Sequence, residues 1–184
     1  MEGRPAVFLD RDGTLNAEVD FLHRPEDVSI TPGAAQAIAR LNESNIPVIV
    51  VTNQSGIGRG MFGWAEYEEV MEKISQLLAE EGARLDDAFA CPFYEGAEGE
   101  YRHPDHPDRK PNPGMILKAA EKHNIDLKRS WMVGDKESDL EAGRRAGCRT
   151  VLVLTGYGSK ADPELADIVA SDLGQAIEQI MHQI

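Results

Sequence analysis

The run Asp10-Arg11-Asp12-Gly13-Thr14 places two carboxylates two positions apart on what reads as a sharp turn. A carboxylate is a competent nucleophile toward phosphorus, forming an aspartyl-phosphate. A second, offset carboxylate can protonate a leaving oxygen and later activate water. Gly13 lets the chain turn away directly after the pair. The same residues would equally make a plain polar loop, with Asp12 capping a helix.

Three other stretches carry matching chemistry. Thr52-Asn53-Gln54-Ser55-Gly56 offers a hydroxyl, amides and backbone N–H groups suited to phosphoryl oxygens, or to ordinary turn capping. Arg109-Lys110-Pro111 holds a lysine restrained by the following proline. Such a lysine can neutralise nucleophile and phosphate together, although most lysines simply face solvent. Gly134-Asp135-Lys136-Glu137-Ser138-Asp139 gathers carboxylates that suit Mg²⁺, or the first turn of a helix.

Each stretch follows a segment that reads as a strand or closes a loop. Short apolar runs at residues 6–9, 46–51, 88–90, 130–133 and 150–154 are bounded by Gly, Pro, Asp or Asn, and residues 168–169 add a short edge strand. Helical spacing of apolar residues covers 33–44, 64–81, 113–123, 138–146 and 172–181, with Gly82 and Gly147 at expected stops. Strand and helix alternate, which predicts a mostly parallel α/β sheet covered on both faces. In such sheets ligands bind beyond the carboxyl ends of the strands, where these polar residues lie. Residues 92–112 form the one long irregular stretch and read as a functional loop.

The chain has 184 residues, so one domain over 1–184 is expected. It carries 19 basic and 32 acidic residues, a net charge of −13, which disfavours nucleic acid and anionic membranes as partners. No apolar run approaches the ~20 residues of a membrane span. Residues 1–4 carry no secretory pattern, and two cysteines make no disulfide framework, so a cytoplasmic location is expected.

Taken together, the four stretches resemble the motifs of the haloacid dehalogenase superfamily of phosphohydrolases, over about residues 6–158. Asp10-Arg11-Asp12-Gly13-Thr14-Leu15-Asn16, Thr52-Asn53-Gln54-Ser55-Gly56-Ile57-Gly58-Arg59-Gly60 and Arg109-Lys110-Pro111-Asn112-Pro113-Gly114-Met115 resemble more narrowly its heptose bisphosphate and histidinol phosphatase branch. The resemblance implies a three-layer, Rossmann-like parallel sheet in order 3-2-1-4-5 with a minimal cap. It implies Asp10 as nucleophile and Asp12 as general acid and base. Asp10, the Asp12 carbonyl and Asp135 would hold Mg²⁺, with Asp139 one step back from the ion. Thr52 and Lys110 would hold the phosphoryl group. Glu18, Val19, Asp20, Phe21, Asn53, Gln54, Ser55, Arg109 and Lys136 would contact substrate, with Arg59 a second phosphate contact. The implied substrate is a small phosphorylated sugar, with heptose 1,7-bisphosphate ahead of histidinol phosphate because the chain reads as stand-alone and carries Arg109-Lys110 in that branch's setting, and the expected state is a monomer. A catalytically idle phosphate-binding protein is the rival reading, and the presence of both Asp10 and Asp12 speaks against it.

Two departures matter. Many members of the branch hold zinc in the long loop through Cys-x-His and Cys-x-Cys pairs. Here the corresponding pairs are Cys91 with Phe93 and His106 with Asp108, which argues against zinc. Were zinc to bind, the donors on offer would be Cys91, His103, His106 and Asp108. Residues 56–60 lack the spacing of nucleotide-binding glycine motifs and read as a flexible loop closing over substrate. His23, His123 and His182 are expected on the surface. Residues 15–32 leave room for a flap but not a helical lid, and so do residues 92–109. An open site lets water reach a phospho-aspartate, which favours hydrolysis over mutase transfer.

Overall fold

The computed structural model describes residues 3–184; the signal-sequence reading of residues 1–4 therefore lies partly outside the described residues. Six strands form one sheet: β1 (Val7–Leu9), β2 (Val48–Asn53), β3 (Asp87–Cys91), β4 (Trp131–Gly134), β5 (Arg149–Val153) and β6 (Ile168–Ala170). All pairings are parallel, in the order β3-β2-β1-β4-β5-β6. The expected five-strand order is present, and the 168–169 segment extends it beside β5. β1 lies at the centre, with Val7 opposite Val48 on one side and Trp131 on the other.

The helices are α1 (Ala34–Glu43), α2 (Ser55–Gly58), α3 (Trp64–Glu80), α4 (Gly114–His123), α5 (Glu137–Ala146) and α6 (Leu173–Met181). Side chains alternate across each strand, which divides the core in two. Val7, Leu9, Val48, Val50 and Val133 join Ile38, Leu41, Ile74 and Ile177 on one face. Phe8, Ile49, Val51 and Met132 join Met115, Ile116, Ala119 and Ala142 on the other. Strands buried on both faces explain why their sequences are continuous apolar runs rather than alternating ones. Among the described residues no helix is long and apolar enough to cross a membrane.

Residues 56–60 differ from expectation. The first part is the helical turn α2, with Gly56, Ile57 and Gly58 buried. A Cβ on Gly56 would collide with the Phe62 ring, and one on Gly58 with the Pro92 carbonyl. Gly56 and Gly58 serve close packing, whereas Gly60 has open space around it and a φ of +68°. His123 also departs: its Nε2 lies 2.7 Å from Asp87 Oδ2, and the ring is half-buried. His23 is half-buried too, stacking on Phe62 at 5.6 Å between centroids.

Candidate active site

β1 ends at Leu9, so Asp10 is the first residue beyond the sheet centre, and the chain turns at once through Gly13, whose φ is +88°. The turn is fixed from inside: the N–H groups of Thr14, Leu15 and Asn16 all donate to the Arg11 carbonyl. A Cβ on Gly13 or on Gly156 (φ +54°) would run into the Asp135 carboxylate. Glycine at both positions lets the turn after β1 and the turn after β5 close on the carboxylate at the end of β4.

Lys110 is buried and its ammonium is fully engaged. Nζ donates to Asp10 Oδ1 at 2.8 Å, to Asp139 Oδ1 at 2.6 Å and to the Val51 carbonyl at 2.8 Å. Burial alone would lower its pKa, but the charges of Asp10 and Asp139 outweigh burial and raise it. Its backbone is pinned by Asn53, whose Oδ1 accepts from Lys110 N and whose Nδ2 donates to the Lys110 carbonyl, each at 3.0 Å. The end of β2 therefore places the lysine, although 57 residues separate the two. Asp139 also accepts from Lys136 N at 3.0 Å, so it closes the first turn of α5 and the site together.

Asp135 is completely buried; its Oδ2 accepts from Tyr157 N at 2.8 Å, while Oδ1 has no partner. Burial first, then the charges of Asp10 and Asp139, push this carboxyl up to about 8. Donor oxygens of Asp10, Asp135 and Asp139 lie within 4.8 Å of one another, the one such grouping of metal-ligating side chains among the described residues. A partnerless buried oxygen beside two more carboxylates is a set that fits a hard divalent cation.

Asp12 sits differently. Its Oδ1 accepts from Arg11 Nε (3.1 Å), Arg11 Nη2 (3.0 Å) and Asn16 Nδ2 (3.1 Å). Its Oδ2 accepts from Arg11 Nη2 (2.9 Å) and Gln54 Nε2 (3.0 Å). Gln54 also donates to Thr52 Oγ1 at 2.9 Å.

A cavity of about 380 Å³ opens over these groups, walled by Asp10, Asp12, Thr52, Asn53, Ser55, Arg109, Lys110, Lys136, Ser138 and Asp139. A neighbouring hollow of about 170 Å³ shares Asp12, Asn53, Ser55 and Lys136 and adds Glu18, Val19, Asp20, Phe21, Gln54 and Tyr157. Lys136 spans the two, 3.6 Å from Glu18 Oε2 and over the Tyr157 ring. Of the residues singled out from sequence, Arg59 alone among the proposed phosphate and substrate contacts is outside both walls. It is exposed, with its guanidinium 4.3 Å from the Tyr94 ring centroid. Arg11, Asn16, Ser138 and Tyr157 were not singled out. Arg11 carried one signal, a charged residue directly after a buried strand. Tyr157 carried none, because it acts through a backbone N–H that any non-proline residue supplies.

The residues named as zinc donors are Cys91, at the end of β3, and His103, His106 and Asp108 in the loop that follows. Nδ1 of His103 accepts from Asp105 N, and Nδ1 of His106 from Asp108 N, both at 3.1 Å. His106 stacks flat on Phe93, with centroids 3.8 Å apart. Cys91 is buried in the apolar core beneath. Asp108 pairs with Lys118 at 2.5 Å.

Known proteins resemble this chain in sequence and fold. Residues 108–176 match the family model described as "HAD-hyrolase-like". The chain is 49% identical over 177 residues to the D-glycero-beta-D-manno-heptose-1,7-bisphosphate 7-phosphatase of Mesorhizobium japonicum, covering 91% of this chain and 82% of that protein. A solved HAD-like phosphatase from Mesorhizobium loti superposes with a TM-score of 0.88 at 42% identity, covering 99% of this chain and 88% of the other. The D,D-heptose 1,7-bisphosphate phosphatase of B. bronchiseptica, solved with magnesium and phosphate, gives 0.86 at 36% identity, covering 98% and 99%. The chain belongs to the haloacid dehalogenase-like hydrolases. Within that family it is a phosphatase of the group to which the heptose bisphosphate phosphatases belong.

Proposed function

We propose that the chain removes the 7-phosphate of D-glycero-D-manno-heptose 1,7-bisphosphate through an aspartyl-phosphate on Asp10, with Mg²⁺ bound. The observation that carries the reading is the pairing at the end of β1. Asp10 has one oxygen held by buried Lys110, and Asp12 stands two residues on in the same cavity wall. The 49% identity to a heptose bisphosphate phosphatase supports the sugar, and names the beta anomer for that relative.

In the first step the Asp10 carboxylate attacks phosphorus through Oδ2, since Lys110 occupies Oδ1. An O–P bond forms while the bond from phosphorus to the sugar oxygen breaks, and Asp12 gives that oxygen its proton. In the second step Asp12 takes a proton from water, the water oxygen bonds to phosphorus, and the bond to Asp10 breaks. Inorganic phosphate leaves and both carboxyls return to their starting states. Lys110 neutralises the attacking group throughout, and Thr52 donates its hydroxyl to a phosphoryl oxygen. Asp10, Asp135 and the Asp12 carbonyl would hold Mg²⁺, with Asp139 steadying Lys110 one step back. The bound ion supplies positive charge that screens the phosphate from the surrounding carboxylates.

Arg109 and Lys136, both in the cavity wall, suit the second phosphate and the sugar hydroxyls, and Glu18 to Phe21 with Asn53 to Ser55 line the space for the ring. The net charge of −13 supports a small substrate rather than nucleic acid or an anionic membrane. The test is Mg²⁺-dependent phosphate release from both anomers of heptose 1,7-bisphosphate, histidinol phosphate and fructose 1,6-bisphosphate. A kcat/KM at least 100-fold above the rest, about 2.7 kcal/mol of discrimination, identifies the heptose. Equally poor turnover of the whole panel contradicts it.

A further inference from the structure

We infer that Arg11 is a positioning residue for Asp12, holding the carboxyl where it can hand a proton to the departing oxygen. The inference rests on the phosphoryl-transfer role proposed for the Asp10 and Asp12 pair.

Arg11 is fully buried, whereas the Asp12 side chain is 16% exposed and faces the cavity. Taking a guanidinium out of water is strongly unfavourable unless it is paired. Every side-chain hydrogen bond that Arg11 makes goes to the site: three to Asp12 and one to Gln54. Gln54, between the end of β2 and the start of α2, itself bonds Asp12 and Thr52. Its remaining nitrogen, Nη1, is buried with no partner, and the Tyr67 ring lies 5.7 Å from its Cζ. An apolar side chain would fill that space at less cost, so the buried charge is tied to Asp12 and not to the core.

The geometry of the hold is specific. Nε and Nη2 form a planar fork on the carboxylate, which fixes its plane as well as its position. Asn16 fastens Oδ1, and Gln54 fastens Oδ2 while bonding to Thr52. Without the fork, two single bonds remain and the carboxyl can turn about its side-chain torsions. Transfer of a proton in a transition state requires the donor in line with the acceptor, and a small misplacement costs heavily.

The consequence depends on the leaving group. An alkoxide needs the proton from Asp12 as its bond to phosphorus breaks. A p-nitrophenolate is stable as the anion and departs without one. In a two-step reaction through a covalent intermediate, kcat/KM covers only the steps up to that departure. Loss of Arg11 should therefore injure alkyl phosphates and largely spare p-nitrophenyl phosphate.

The experiment compares kcat/KM of wild type, Arg11→Met and Arg11→Lys on p-nitrophenyl phosphate and on the alkyl phosphate the wild type turns over fastest. In Arg11→Met we expect a fall of about 100-fold on the alkyl ester and under about 5-fold on the aryl ester, in line with the worth of general-acid catalysis. Arg11→Lys keeps the buried charge, loses the fork and should fall about 10-fold on the alkyl ester alone. Should Arg11→Met fail to fold, Arg11→Lys decides. Equal losses on both esters, or none on either, overturn the inference and leave the phosphatase reading intact. A wild type inactive on both esters contradicts the phosphatase reading itself.

Discussion

Two regions beyond the strand ends are held in different ways. At the strand ends, charges hold one another: Lys110 bonds Asp10 and Asp139, Arg11 bonds Asp12, and Asp135 keeps a free oxygen. At residues 93–106 of the loop after β3, rings hold one another. Phe93 lies flat on His106 and edge-on to Tyr101, and Tyr101 Oη accepts from Trp64 Nε1. Both regions contain metal-ligating residue types. Only the first gathers three of them within 4.8 Å of one another among the described residues. Donor types in a sequence therefore say little about a metal site until the backbone aims them at a common point.

The largest effect should come from the charged region. Asp10→Asn replaces the attacking carboxylate by an amide, and turnover should fall by about 10,000-fold or more while circular dichroism stays native. Near-wild-type phosphate release would remove Asp10 from the chemistry.

Asp135→Asn tests the charge crowding. In the metal-free protein the Asp135 carboxyl is raised to about 8 by burial and by Asp10 and Asp139. A carboxyl raised above its unfolded value of about 3.9 binds its proton more tightly when folded. Its favourable share is fully present below the unfolded value and is lost as pH rises through the folded one. Thermal melts without metal should therefore fall in Tm between about pH 4 and about pH 8. The variant should flatten that slope and lose the Tm increase on adding Mg²⁺, which wild type should show. A variant that still responds to Mg²⁺ would detach Asp135 from the ion.

In the ring-held region the effects should be on stability, not chemistry. Phe93→Ala removes a half-buried ring and its stack, and should cost about 1–2 kcal/mol in urea unfolding. Chelators should not change the wild-type midpoint through this loop. Smallest of all, His123→Gln should cost under about 1 kcal/mol, because Lys122 still pairs with Asp87 at 2.8 Å near the surface.

The same contrast explains what was legible in the sequence. The sheet order and strand positions could be read because doubly buried strands must be apolar runs and their ends must carry the turns. Asp10, Asp12, Thr52 and Asp135 could be read because each lies within a residue or two of such an end. Lys110 was found through the Arg-Lys-Pro run, but its three-way hold on Asp10, Asp139 and Val51 was not, since those partners come from three different segments. The helical turn at Ser55–Gly58 was hidden because its glycines reflect the nearness of Phe62 and Pro92, a fact of packing. The setting of Arg59, with its guanidinium over the Tyr94 and Phe21 rings, was hidden for a related reason: those rings lie 35 and 38 positions away. The Arg11 fork was overlooked because arginine is usually a surface residue.

The account turns on Asp10 becoming phosphorylated. Wild-type protein with Mg²⁺ and the heptose bisphosphate, quenched in acid within the first turnover and reduced with borohydride, should yield homoserine at position 10 in the digested peptide. Rapid phosphate release with aspartate unchanged at position 10 in every quenched sample would contradict the covalent route and with it the role assigned to this residue.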